Sequence, residues 1–204
     1  FAHADVVMTT THKTLRGPRG AVIFSNRQSP IANREKIDIG YKIDRAVFPG
    51  FQGGPHNNVT AAKAAAFFEA MQPSFRGYQK QIVKNAKALA AELIKRGFAV
   101  ATGGTDTHLM LLDMRRCGKD GRTAEEILER AGITANRNSL PGDEKPLRPS
   151  GVRLGTPAVT TRGMKRKEMT RIAEFFDRLL TRDEDPQKVG RDVAALCKKF
   201  PLPY

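Results

Sequence analysis

Apolar and polar positions along the 204-residue chain alternate between short β-branched runs and longer stretches with helical spacing. Residues 4–8 form a short apolar run that yields to Thr9-Thr10-Thr11-His12-Lys13. The pattern predicts a strand with polar groups just beyond its end, where α/β proteins concentrate chemistry. Gly17-Pro18-Arg19-Gly20 signals a turn, and residues 21–24 predict a second buried strand returning beside the first. From Ser25 to Asp44 the composition turns polar and basic, which predicts a surface excursion.

Residues 58–71 are rich in alanine, a strong helix former that also permits close packing. Pro73 closes this segment. Ser74 is then placed to cap a long helix to Arg96, with Tyr78, Ile82, Ala86, Leu89 and Leu93 at helical spacing and Gly97 as its stop. Short strands are predicted over 98–101 and 109–113, separated by Gly103-Gly104-Thr105-Asp106. Thr123-Ala124-Glu125-Glu126 has the form of a capping box opening a helix that Gly132 ends. Strands over 133–135 and 152–154 bracket a loop rich in Asn, Pro and Gly, long enough to be functional. Met169, Ile172, Phe175, Phe176, Leu179 and Leu180 trace another helix, and Asp185-Pro186 opens a last one carrying Val189, Val193 and Leu196. Together these elements predict an α/β fold. A boundary near residues 56–75 separates the tail of one α/β domain from a complete smaller one.

Composition narrows the class. With 40% hydrophobic residues the chain can bury a core, and no run approaches the roughly 18 apolar residues of a membrane span, so a soluble protein is expected. The chain opens at Phe1 without a charged n-region or apolar h-region, and is expected to be truncated upstream. Cys117 and Cys197 lie far apart and match no metal spacing, which excludes disulfide scaffolds and zinc modules and points to a cytoplasmic, reducing setting. Lys plus Arg number 35 against 21 Asp plus Glu, a formal charge of +14 that suits a polyanion or anionic small molecules. The basic residues run from Lys13 to Lys199 without a dense block or an aromatic-interleaved basic motif, which counts against a dedicated nucleic-acid binder.

Lys13 is the first candidate for chemistry. A lysine near a strand end, beside threonines, His12 and the cations Arg16 and Arg19, is suited to react as a neutral amine with an aldehyde, although spacing alone favours a solvated loop lysine. Gly53 and Gly54 offer backbone N–H groups to an anion with no Cβ in the way, or simply form a tight turn. Arg153, on a short apolar strand, is suited to a planar carboxylate or to an internal salt bridge.

The segment Thr9-Thr10-Thr11-His12-Lys13-Thr14-Leu15-Arg16-Gly17-Pro18-Arg19-Gly20 strongly resembles the pyridoxal-phosphate lysine segment of the serine hydroxymethyltransferase family of fold-type I enzymes. Ala46-Val47-Phe48-Pro49-Gly50-Phe51-Gln52-Gly53-Gly54-Pro55-His56 is similar to the family's glycine-rich segment. Residues 150–160, Ser-Gly-Val-Arg-Leu-Gly-Thr-Pro-Ala-Val-Thr, are similar to its carboxylate-binding segment, and residues 103–106 and 133–139 follow in family order. The resemblance covers almost the whole chain but only the family's C-terminal half. It implies residues 1–66 as the end of the large cofactor-binding domain and 67–204 as the small C-terminal α/β domain.

The resemblance further implies pyridoxal 5'-phosphate held as a Schiff base on Lys13, with His12 before it influencing reaction specificity, Thr10 hydrogen-bonding near the cofactor linkage and Arg19 organising the loop. Gly53 and Gly54 would meet the cofactor phosphate of a neighbouring subunit, implying a homodimer or dimer of dimers. Arg153 would grip the α-carboxylate of serine or glycine. Asn138 and the loop to Arg148 would contact the pterin of tetrahydrofolate, the co-substrate. Here the chain departs from the pattern, with Lys145-Pro146-Leu147 where many members carry Ser-Pro-Phe, in a loop one residue shorter. The implied activity is serine–glycine interconversion with transfer of the hydroxymethyl carbon to tetrahydrofolate, without a metal. Family groups expected upstream of Phe1 are absent from these residues, so the 204 residues alone are expected to be inactive. Two other readings remain: a folate-independent aldolase acting on β-hydroxy amino acids, and a basic RNA-binding or interaction module supported by the charge alone.

Overall fold

The computed structural model describes residues 3–26, 38–144 and 148–203. It divides into two compact units, residues 1–76 and residues 77–204.

In the first unit, strand β1 (Val6–Thr10) pairs antiparallel with β2 (Ala21–Ser25), Val6 opposite Ser25 and Thr10 opposite Ala21. The expected hairpin is present, but β1 runs two residues later than the apolar run implied. Thr9 and Thr10 therefore belong to the ladder, and the connecting loop begins at Thr11. The β-branched threonines suit the pleat, and pairing with Val22 and Ala21 draws them in. Asp38 accepts a hydrogen bond from Tyr41 N at 3.0 Å and so caps α1 (Ile39–Arg45), inside the stretch read as an irregular excursion. Most of that excursion, residues 27–37, lies outside the described residues. A wide turn over Ala46–Phe51 leads to α2 (Asn57–Met71). The next helix, α3 (Pro73–Lys95), starts on Pro73 itself rather than after a Ser74 cap, because a proline at the first helical position lacks only an N–H that would be unpaired there.

The first unit has almost no interior. Ala66 is its one buried hydrophobic residue among those described, whereas Met8, Phe51, Phe68 and Met71 are 60%, 93%, 63% and 74% exposed.

The second unit is built differently. Its four-stranded sheet has the order β3 (Ala99–Val100), β4 (Leu109–Asp113), β6 (Gly151–Gly155), β5 (Asn136–Asn138), with every pair antiparallel. Period-2 alternation puts Met110, Leu112, Val152 and Leu154 on one face, where they are buried. Against them pack α3, α4 (Gly121–Arg130), α6 (Arg166–Leu180) and α7 (Pro186–Lys199), with the short α5 (Pro157–Thr161) following β6. The core includes Leu89, Leu93, Phe98, Leu128, Met169, Phe175, Phe176, Leu179, Leu180 and Val189. Each of the larger side chains contributes about 1.5–3 kcal/mol by leaving water.

Two local readings are corrected by the backbone. Asp120, not Thr123, caps α4, its carboxylate accepting from Thr123 N at 2.7 Å. Glu126, the expected capping-box partner, instead accepts from Arg122 Nε at 2.8 Å. The strand expected over 133–135 lies at β5, three residues later. Gly132, at φ +76°, turns the chain out of α4, and Ile133 N donates to Leu128 O at 2.9 Å, so Ile133 closes the helix rather than joining the sheet. Gly97 at φ +89° ends α3 in the same way, with Phe98 N donating to Leu93 O at 3.1 Å.

Candidate active site

The loop between β1 and β2 is shaped by Thr11. This residue is fully buried; its hydroxyl donates to Pro18 O at 2.6 Å and its amide to Gly20 O at 2.9 Å, while its carbonyl accepts from Gly17 N at 2.7 Å. Gly17 is required by close approach, since a Cβ there would lie 2.9 Å from Thr11 O and 3.0 Å from the Ala66 Cβ. Lys13 projects from this pinned loop. It is exposed, and among the described residues no ion pair or hydrogen bond holds its side chain. An amine so placed is free to meet an aldehyde.

His12 follows Thr11 and is partly buried, its Nδ1 lying 3.2 Å from Gly20 O and 3.3 Å from Gly20 N. Either tautomer therefore anchors the ring to the residue that opens β2. Thr10 is half-buried as the last ladder residue, and Arg19 is exposed one residue before Gly20. The structure thus gathers Thr10, His12, Lys13 and Arg19 around one loop. Lys63 of α2 was missed by sequence reasoning. Its Nζ donates to Ala21 O at 3.4 Å, and its stem occupies the space a Cβ on Gly20 would need, 2.6 Å from Cε.

Gly53 and Gly54 are exposed just before α2. A Cβ at either would meet nothing within 4 Å, and neither has a positive φ. Among the described residues nothing demands glycine there. The open backbone leads to a helix start at which His56 makes no side-chain cap, so the first N–H groups of α2 remain available to an anion.

In the second unit, Arg153 sits on the sheet face opposite the core, cross-strand from Leu111 and Asn136. It is exposed, and among the described residues no carboxylate pairs with it. Leu111 also lines an open groove of about 630 Å3 that includes Gly103, Gly104, Thr105 and Asp106. Asn138 ends β5, its Nδ2 donating to Ser139 O at 3.2 Å. Lys145, Pro146 and Leu147 lie outside the described residues.

The loop carrying those residues is closed by Asp143, which sequence reasoning did not single out. Its Oδ2 accepts from Ser150 N at 2.8 Å and Leu140 N at 3.0 Å, and its Oδ1 from Ser150 Oγ at 2.5 Å. The Ser150 hydroxyl, followed by these backbone donors, lowers the Asp143 carboxyl to about 2. Beside it, Arg115 grips Asp113 through Nε at 2.9 Å and Nη2 at 2.7 Å, lowering that carboxyl as well.

The family model described as serine hydroxymethyltransferase matches residues 1–176. The chain belongs to the serine hydroxymethyltransferase family. A protein of Marinomonas sp. (strain MWYL1) named serine hydroxymethyltransferase is 52% identical over 209 residues, covering 98% of this chain and 47% of the relative. One of Acidothermus cellulolyticus with the same name is 50% identical over 211 residues, covering 98% and 47%. The chain therefore spans about half the length of the curated relatives it matches. Among the described residues, no helix is long and apolar enough to cross a membrane.

Proposed function

We propose that this chain supplies the lysine-bearing loop and the small domain of a pyridoxal-phosphate enzyme interconverting serine and glycine, with tetrahydrofolate as the one-carbon acceptor. The observation that carries this reading is the Lys13 amine, held by no side-chain bond among the described residues, on a loop whose backbone Thr11 pins.

The residues present fit the cofactor. Lys13 would hold its aldehyde carbon covalently, with Thr10, His12 and Arg19 around the attachment, and the open backbone at Gly53 and Gly54 suits a phosphate, presented to a second subunit of a homodimer or dimer of dimers. When bound, pyridoxal phosphate supplies an electron sink for charge developing at the substrate Cα. The protein's own part is placement. Arg153, with its two parallel N–H donors, would orient the substrate α-carboxylate and so select the Cα bond that reacts. Asn138 and the Asp143-closed loop, with Lys145, Pro146 and Leu147, would present donors and acceptors to the pterin. Residues 1–66 would then complete a large domain, and 67–204 form the C-terminal one.

Two measurements test this. Borohydride reduction of the chain incubated with pyridoxal phosphate, followed by peptide mapping, is expected to place the pyridoxyl group on Lys13 and to lose it in Lys13→Ala. Label spread evenly over surface lysines would refute the assignment. In the enzyme assembled with the rest of its relatives' length, serine cleavage should depend on tetrahydrofolate. Unstimulated cleavage would instead support the folate-independent aldolase. The 204 residues alone are expected to take up label without turnover.

A further inference from the structure

The strand that carries Arg153 ends in a buried polar junction with a helix of the opposite layer. Thr156 is fully buried at the N-cap position of α5, where a threonine ordinarily accepts a hydrogen bond from the helix it starts. It makes no such cap. Its hydroxyl donates to Ile82 O of α3 at 2.9 Å, and its amide donates to His108 O at 3.1 Å. Its carbonyl accepts from Thr160 N at 3.0 Å and Thr160 Oγ1 at 2.7 Å. Asn85, also fully buried on α3, extends the junction by donating from Nδ2 to Thr160 Oγ1 at 2.8 Å and to Met164 O at 2.9 Å.

Packing does not explain a threonine at 156, because valine has the same shape without a hydroxyl to satisfy. Helix capping does not explain it either. What the hydroxyl does is tie the end of β6 to α3. Arg153 lies three residues earlier on that strand with a side chain that no neighbour in the described residues holds, so the backbone alone aims it. Strands β4 and β5 hold β6 from the sides. The Thr156 hydroxyl ties the residue at its end to α3.

We propose that Thr156 is a positioning residue for substrate carboxylate recognition, fixing the direction of the Arg153 guanidinium through its bond to the Ile82 carbonyl. This rests on the reading of Arg153 as the carboxylate anchor. A bidentate arginine–carboxylate pair is directional, so a small tilt of β6 weakens it.

The test compares Thr156→Val, Thr156→Ser, Arg153→Lys and the Thr156→Val/Arg153→Lys double variant. In the 204-residue chain, amide hydrogen exchange over residues 152–156 should quicken about tenfold in Thr156→Val and stay within about twofold of the parent in Thr156→Ser, as for loss and retention of one buried hydrogen bond. In the assembled enzyme, Thr156→Val should raise the serine KM about tenfold with kcat within about twofold, and Thr156→Ser should restore it. Adding Thr156→Val to Arg153→Lys should cost less than about a further twofold, since both act on one contact. If Arg153→Lys raises KM while Thr156→Val does not, or if the two effects multiply in full, Thr156 is structural only and the positioning role falls while the anchor stands. If Arg153→Lys leaves KM unchanged, the anchor reading fails and takes the positioning role with it.

Discussion

Thr11 turns a run of three threonines into a candidate site. Thr9, Thr10 and Thr11 look alike in sequence, and only the strand ladder decides which hydroxyl points inward to Pro18 O. Lys13, His12 and Arg19 could be nominated from sequence because the order of residue types around them is distinctive. Thr11, Lys63 and Asp143 could not, because each works through a backbone partner that leaves no periodic mark. Asp143 gives the clearest prediction at this scale. Its carboxyl is held at about 2 in the fold, below the roughly 3.9 of an unfolded aspartate. A depressed pKa stabilises the fold fully above about pH 4, and that contribution drains as pH falls toward 2. Urea unfolding from pH 6 to 2 should therefore show Asp143→Asn less stable than the parent at pH 6, with the gap narrowing below pH 4. A gap that stays constant to pH 2 would mean that charge on Asp143 has no part in closing the loop.

Elements were read more readily than their edges. Helices α3, α4, α6 and α7 occur where apolar spacing placed them, α3 and α4 with a glycine stop, whereas the five-residue α5 was not foreseen. Edges shifted wherever a backbone bond outranked a side-chain preference. Ile133 is β-branched and apolar, a strand former by type, yet its amide closes α4. Two glycines separate the kinds of constraint that set such edges. Gly97 has φ +89° and open space around a notional Cβ, so Gly97→Ala should cost roughly 1–2 kcal/mol from backbone conformation alone. Gly121 has an ordinary backbone, but a Cβ there would lie 2.4 Å from Gly151 O and 2.8 Å from Pro149 O. Neither is a flexible side chain that could swing aside, so Gly121→Ala must lever α4 away from β6, at a cost of about 3 kcal/mol or more. Chemical denaturation of the two variants checks the order. Equal costs would show that the α4–β6 contact yields easily.

At the scale of the molecule, the two units differ in what holds them together. Composition over the whole chain promises a core, and that core is drawn almost wholly from residues after Arg76. The sequence did not reveal this asymmetry, because the apolar residues of the first unit have the right types and local spacing. Helix α2 is the plainest case: Ala61, Ala62, Ala64, Ala65, Phe68 and Met71 are exposed, although a helix apolar on all sides ordinarily lies inside a protein. A two-stranded hairpin is marginal by itself in water, and beside it the unit offers Ala66 as its buried apolar residue among those described. The second unit has a four-stranded sheet with one face covered by helices and Phe175, Phe176, Leu128, Met169 and Leu180 fully enclosed. Residues 73–204, which keep α3 whole, should therefore fold alone and unfold in one cooperative thermal transition, with slow amide exchange in β4 and β6. Residues 1–72 should show no cooperative transition and should exchange their hairpin amides rapidly. A sharp melt from residues 1–72 would mean that apolar contacts beyond Ala66 form in that unit. A gradual melt from residues 73–204 would mean that its enclosed side chains do not pack as one core.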